Sequence, residues 1–224
     1  MRPLDTAYMG DLVPVILGYV PLTLFMAVIA MFGALALGAI LAIVRVIRVP
    51  VLDRIVAVFI SFFRGTPLLV QLFLFYFGLP QVVPAMTGID GVTAAIIGLT
   101  LHFSAYMAES IRGAILGVDR SQWEAAQSIG MTQGQLLRRI ILPQAARTAA
   151  PTLMNYFIDM IKSTSLAFTL GVTEMMGAAQ KEAAGSFLYL EAFLVVAVIY
   201  WVIVEVLSVG QRWLERRLGK AVAR

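Results

Sequence analysis

The chain has 224 residues, of which 60% are hydrophobic and only 13% charged, with a mean hydropathy of +0.89. A water-soluble domain carries about 25% charge, so the composition excludes an ordinary soluble enzyme and points to a bilayer. The absence of cysteine and the single histidine exclude a disulfide framework and a thiolate or histidine metal cluster, and the net charge of +4 sits beside apolar runs, where it reads as a topology signal before it reads as a nucleic-acid surface.

Residues 1–11 lack a basic segment followed by a short apolar core and a cleavage site, so no removable signal peptide is expected. Residues 12–44 carry no charge and form the first expected span, with Pro21 as a start or a kink. Arg45, Arg48, Asp53 and Arg54 make a polar break. The second span, 55–78, is interrupted by Arg64 and by Gly65-Thr66-Pro67; residues 79–90 are a loop; the third span is 91–116. A polar connection, 117–147, leads to a fourth span over 148–171, then to a loop of small and polar residues over 175–186. The fifth span is 187–209, followed by a basic tail. About 20 apolar residues at ~1.5 Å rise cross a hydrocarbon core of ~30 Å, and no alternating barrel pattern or internal repeat is present. The expectation is an all-α polytopic membrane protein with five transmembrane helices in one domain.

Basic residues orient it. Residues 45–64, 109–147 and 211–224 hold four, five and five, which is fourteen of the seventeen. The opposite loops and the N-terminal arm hold Arg2 and Lys181 against Asp5, Asp11, Asp90, Glu174, Glu182 and Glu191; Lys162 falls within a span. By the positive-inside rule the N-terminus is outside, the C-terminus is cytoplasmic and loop 117–147 is cytoplasmic.

That loop reads as two short helices. Ser121-x-x-Glu124 and Thr132-x-x-Gln135 each have capping-box spacing; Gly130 suits a positive-φ corner between them; Leu142-Pro143 ends or kinks the second. An ordinary amphipathic hairpin would satisfy the same signals one by one. The complete spacing is Glu124-Ala125-Ala126, three residues, Gly130, nine residues, Ile140, one residue, Leu142-Pro143. It resembles the "EAA" signature of the membrane subunits of bacterial ABC importers, which implies that Glu124, Ala125, Ala126, Gly130, Leu142 and Pro143 belong to a surface that grips a partner ATPase.

Ionisable groups at membrane depth are costly and mark a pathway or a paired network. Arg64, Glu109 and Asp159 each lie about eight residues from the loop-side end of their span, ~12 Å in at 1.5 Å per residue. They read either as an ion network or as substrate contacts, and Asp159 can also reach Lys162 three residues along its own helix. Lys162, Ser163, Thr164 and Ser165 lie nearer the midplane. Their hydroxyls either weaken the helix and expose backbone dipoles to a zwitterion or bond their own carbonyls. Thr66, Gln71 and His102 complete the candidate path; a lone His102 is most simply a buried neutral ring, and Gly113-x-x-x-Gly117 could permit close helix packing.

Further stretches sharpen the resemblance. Arg64-Gly65-Thr66-Pro67-Leu68-Leu69-x-Gln71, Tyr106-x-x-Glu109-x-x-Arg112-Gly113 and Lys162-x-Thr164-Ser165-Leu166 are similar to motifs of the polar amino acid uptake family of ABC importers. The resemblance covers residues 12–215. It departs at Ser121, where glycine is common, and at Ser163, where Asp or Gly is usual, with Asp159 four residues earlier; residues 162–176 look most like the cystine branch. It implies a non-enzymatic permease of the bacterial inner membrane that imports a polar amino acid. Its implied partners are a second permease copy or a paralogue, two ATPases that carry the ATP and magnesium, and an external substrate-binding protein. No Gly-x-x-x-x-Gly-Lys-Ser/Thr loop is present, so the chain itself binds no nucleotide cofactor. The rival classes are an ion-coupled secondary transporter, which Asp159 and Lys162 would suit, and a channel-like membrane subunit.

Overall fold

A computed structural model describes residues 3–222, with the side chains of 214, 215 and 217–222 outside the description. Arg2 and part of the basic tail, used above to orient the chain, therefore lie outside the described residues. The described residues are helical, without a strand: α1 (Thr6–Leu17), α2 (Val20–Ile47), α3 (Leu52–Gly65), α4 (Leu68–Phe73), α5 (Gly91–Leu116), α6 (Arg120–Ser128), α7 (Gln133–Leu136), α8 (Leu142–Ser163), α9 (Met175–Ser186) and α10 (Tyr189–Val222). Single π turns follow α4 and α7, and a 3-10 segment, Thr164–Leu170, follows α8.

The all-α membrane class holds, but the spans differ from the five expected. Among the described residues three helices are long and apolar enough to cross: α2, α5 and Tyr189–Trp213 of α10. Leu52–Gly65 and Leu68–Gln81 make a fourth if the pair counts as one broken span. The first expected span is two helices, because α1 ends at Gly18 and α2 begins at Val20; Pro21 sits in the first turn of α2, where a missing N–H costs nothing. The expected fourth span is α8, which has 22 residues but carries Arg147, Asn155, Asp159 and Lys162 and includes Pro151. Those groups lower its apolarity below that of a lipid-facing helix. Residues 175–186, expected as a loop, form α9, since a run of alanines is a strong helix former whatever its polarity suggests.

The chain divides into two compact units. The first contains Met1–Phe32, Thr66–Thr100 and Phe157–Gly210; the second contains Gly33–Gly65, Leu101–Tyr156 and Gln211–Arg224. In the first unit Leu12 and Ile16 of α1 meet Met175, Ala179 and Ala183 of α9 and Ala192, Val195, Val196 and Ile199 of α10. Small residues let these helices approach closely, which is how helices associate where lipid removes the hydrophobic driving force. Gly177, in the first turn of α9, answers a different constraint: a Cβ there would lie 2.6 Å from the carbonyl oxygen of Val172, in the turn that leads into the helix.

At the α3–α4 bend, Pro67 has φ −63° and ψ 138° and cannot continue a helix. In the first unit Gln71, buried in α4, donates its amide N–H to both the carbonyl (3.1 Å) and the hydroxyl (2.8 Å) of Thr66. It thus supplies polar partners for backbone that the break releases. In the second unit Arg45 donates to Asp53 Oδ1 at 2.8 Å, closing the turn between α2 and α3.

Candidate functional site

Two sets of residues carry the function-bearing chemistry. The first is the polar loop of the second unit. The N-cap of α6 is Asp119, whose carboxylate accepts from the Ser121 backbone N–H at 2.8 Å and is thereby held below the usual carboxylate range. This corrects the expected box at Ser121: an acid two residues ahead of it takes the orphan N–H, and Glu124 pairs instead with Arg120 at 3.1 Å. The box at Thr132 forms in both halves. Gln135 N–H donates to Thr132 Oγ1 at 3.3 Å, and Thr132 N–H donates to Gln135 Oε1 at 3.0 Å.

The corner between α6 and α7 is a Schellman motif. Gly130 N–H donates to the Gln127 carbonyl (2.9 Å) and Met131 N–H to the Ala126 carbonyl (3.1 Å), with Gly130 at φ +75°. Apart from its chain neighbours, no atom of the described residues lies within 4 Å of where a Cβ on Gly130 would stand, so conformation and not crowding calls for glycine. Ala126 is buried in a cluster with Ile115, Leu136, Ile141 and Ala145, while Glu124, Ala125 and Ile129 remain exposed, Ile129 by 78%. Ala126 therefore anchors the loop inward and Glu124-Ala125 face outward. Leu142-Pro143 does not end the second helix. The π turn Leu137–Ile141 runs straight into α8, and its wider hydrogen-bonding accommodates the missing N–H of Pro143.

The second set is the polar groups of the spans. In the first unit Lys162 Nζ lies 2.6 Å from Asp159 Oδ1, both side chains about half exposed (54% and 51%). Each nearby hydroxyl bonds its own helix: Ser163 to the Asp159 carbonyl, Thr164 to Ile161, Ser165 to Lys162 and Thr169 to Leu166, at 2.7–2.8 Å. The backbone tightens from α to 3-10 at Thr164, as side-chain competition for carbonyls predicts.

In the second unit Glu109 is closed by Arg112, whose Nη2 donates to Oε2 at 2.7 Å. Arg64 pairs with no carboxylate among the described residues, and its guanidinium stands 5.6 Å from the Tyr106 ring centroid. His102 is half-buried, its ring 5.0 Å from that of Tyr106 and 5.2 Å from that of Phe103. Each carboxylate of the expected Arg64–Glu109–Asp159 set thus has an i+3 partner of its own. Gly113 faces open space, so it gives no close packing among the described residues.

One buried polar group went unrecognised in the sequence. Glu174, expected in an external loop, is fully buried in the first unit. It caps α9 by accepting from Gly177 N–H at 2.9 Å, and its other oxygen accepts from the hydroxyls of Tyr200 (2.9 Å) and Thr23 (3.4 Å). An acid directly before an alanine-rich segment is a helix N-cap signal that could have found it. Among the described residues no group of His, Cys, Asp or Glu could hold a metal ion.

Apolar spans, one of them sharply broken, with a stiff and doubly capped polar loop whose outer face is uncovered, define a polytopic membrane transport subunit. Residues 34–220 match the family of binding-protein-dependent transport system inner membrane components, and the chain belongs to that family. It is 60% identical to the Probable amino-acid ABC transporter permease protein PatM of Vibrio harveyi, over 98% of this chain and 99% of that one. It is 36% identical to the L-cystine transport system permease protein TcyL of Bacillus subtilis (strain 168), over 98% and 93%. Its fold matches the crystal structure of an amino acid ABC transporter with histidines at a TM-score of 0.88 and 32% identity, covering 96% of this chain and all of the other.

Proposed function

We propose that this chain is the permease of an ATP-driven amino-acid importer, with cystine the first substrate to test. The observation that carries the reading is the Schellman corner at Gly130, which holds the exposed Glu124-Ala125 on one side and the exposed Gln133, Gly134 and Gln135 on the other, while Ala126 and Leu136 pack inward. A rigid element is what converts a partner's closure into rocking of the spans. The amino-acid reading is supported by the names of the relatives, and the cystine choice by TcyL together with residues 162–176.

In this reading loop 117–147 and the C-terminus are cytoplasmic and the N-terminus is outside. Two permeases, identical or paralogous, sit on two ATPases that bind ATP and magnesium, and an external binding protein delivers substrate. The chain itself is not catalytic. Asp159, with Lys162, Ser163, Thr164, Ser165, Thr66 and Gln71 of the first unit, lines the substrate path. The half-exposed Asp159–Lys162 pair supports this, because a charge pair at membrane depth is stable where water or a polar ligand reaches it.

The test is uptake of radiolabelled L-cystine, L-glutamine, L-arginine and L-histidine by proteoliposomes holding the complete complex. ATP-dependent accumulation of at least one is expected. Uptake that follows an ion gradient without ATP would overturn the reading in favour of a secondary transporter.

A further inference from the structure

We infer that Arg64, held against the ring of Tyr106, is the anchor for the carboxylate of the transported substrate. This rests on the amino-acid reading above and adds a ligand group to it, deciding between the two roles left open for Arg64.

A guanidinium within a span does not rest in hydrocarbon; it faces a wet path or a partner charge. Of the charged side chains in this part of the second unit, Glu109 is already occupied. Arg112 engages both of its oxygens, at 2.7, 3.2 and 3.3 Å, and it acts on Arg64 only through space. Arg64 is exposed at the end of α3, directly before the break at Thr66-Pro67, and pairs with no carboxylate among the described residues.

Its one ring contact is the kind that prepares a binding group. The guanidinium carbon stands over the Tyr106 ring, 5.6 Å from its centroid, a cation–π contact. That contact engages the positive charge and takes up no carboxylate, so the fork that matches a carboxylate stays available. The Tyr106 hydroxyl also reaches the Arg64 carbonyl at 3.5 Å, tying the end of α3 to α5.

Tyr106 is itself braced. His102 lies one turn along α5 with ring centroids 5.0 Å apart, and Tyr156 of α8 stands 6.0 Å away with its hydroxyl 2.9 Å from that of Ser110. A fixed aromatic wall beside a free fork suits a ligand with a carboxylate at one end and a carbon body that lies along the rings.

The test measures binding of radiolabelled pairs that differ only by carboxylate: L-cystine with cystamine, L-histidine with histamine, and L-arginine with agmatine. The sample is the purified permease–ATPase complex in nanodiscs, without the binding protein, beside uptake by the complete system. Wild type is expected to prefer at least one amino acid over its amine by about tenfold or more, and Arg64→Gln to reduce that preference to within about twofold by weakening the amino acid alone. Tyr106→Phe should keep the preference, and Tyr106→Leu should lose most of it.

An Arg64→Gln complex with undiminished preference overturns the assignment, as does wild-type uptake of an amino acid with no preference over its amine. If Arg64→Gln does not assemble, Arg64→Lys decides. It keeps the charge but not the fork, so full wild-type preference in it overturns the anchor and partial preference supports it. If wild type neither binds nor imports any of the three, it is the amino-acid reading that fails, and the anchor with it.

Discussion

Tyr200 donates its hydroxyl to Glu174 at 2.9 Å, joining the middle of α10 to the first turn of α9. The same carboxylate accepts from Gly177 N–H and from Thr23 Oγ1, and Thr23 in turn accepts from Met175 N–H at 3.4 Å, so α2, α9 and α10 of the first unit meet at one buried acid.

Glu174→Ala removes that hub and leaves two buried hydroxyls and a helix N-terminus without their acceptor. Each orphaned buried group costs about 1–3 kcal/mol, so the thermal midpoint of the purified complex should fall by several degrees. A midpoint unchanged within a degree would mean that the network contributes nothing.

Burial pushes the Glu174 carboxyl above its ordinary value of 4.5. A raised folded-state pKa means that the folded protein holds the proton where the unfolded chain has released it. Stability is therefore greatest on the acid side and declines as pH rises from about 4.5 through the raised value. Glu174→Gln cannot titrate, so its midpoint should vary less with pH over that window than the wild-type midpoint. Parallel pH profiles for the two proteins would place the titrating group elsewhere.

Gly130→Asn and Gly130→Asp separate conformation from contact. A Cβ at this position has open space around it, and asparagine tolerates the left-handed region at a cost of about 1 kcal/mol or less. Both should yield inserted permease. Transport should be largely kept by Gly130→Asn and lost by Gly130→Asp, with ATPase activity uncoupled or absent, because a charge enters the partner surface. Normal uptake by Gly130→Asp in vesicles sinks the assignment of this loop.

Orientation is accessible in this naturally cysteine-free chain. Single cysteines replacing Gly88 and Gln133 should react from outside and only after permeabilisation, respectively. Labelling of position 133 in intact cells by an impermeant maleimide would reverse the topology.

Asp159→Asn tests the path. With both side chains about half exposed, the Asp159–Lys162 pair contributes only about 0.2–1 kcal/mol to the fold. The complex should assemble in normal yield with a clearly lower initial uptake rate. Reduced yield in proportion to reduced uptake points to a structural pair. Unchanged uptake at every substrate concentration removes Asp159 from the path.

The polar loop was the most legible part of the sequence, because its signals are local. Thr132 and Gln135 recognise each other across three residues, and Gly130 answers a φ that only its own backbone sets. The same locality explains the miss at Ser121: Asp119 competes for the same N–H, and which of them wins depends on a turn that spacing does not encode. Length and apolarity likewise located α2, α5 and α10, since a bilayer acts on each helix separately.

Partnership between distant residues was decided only in three dimensions. Charge alone could not say that Glu109 turns to Arg112 and leaves Arg64 to an aromatic ring, because Arg112 is one turn away on the same helix while Arg64 was expected at the same depth on another. Nor could it say that Glu174 leaves the water-facing loops for the company of Thr23 and Tyr200, which are 151 and 26 residues away. Sequence determined which segments prefer lipid and where the chain turns. Tertiary structure decided which polar groups satisfy one another: Glu109 and Asp159 take partners one turn away on their own helices, whereas Glu174 takes Thr23 and Tyr200, which packing brings within hydrogen-bond reach.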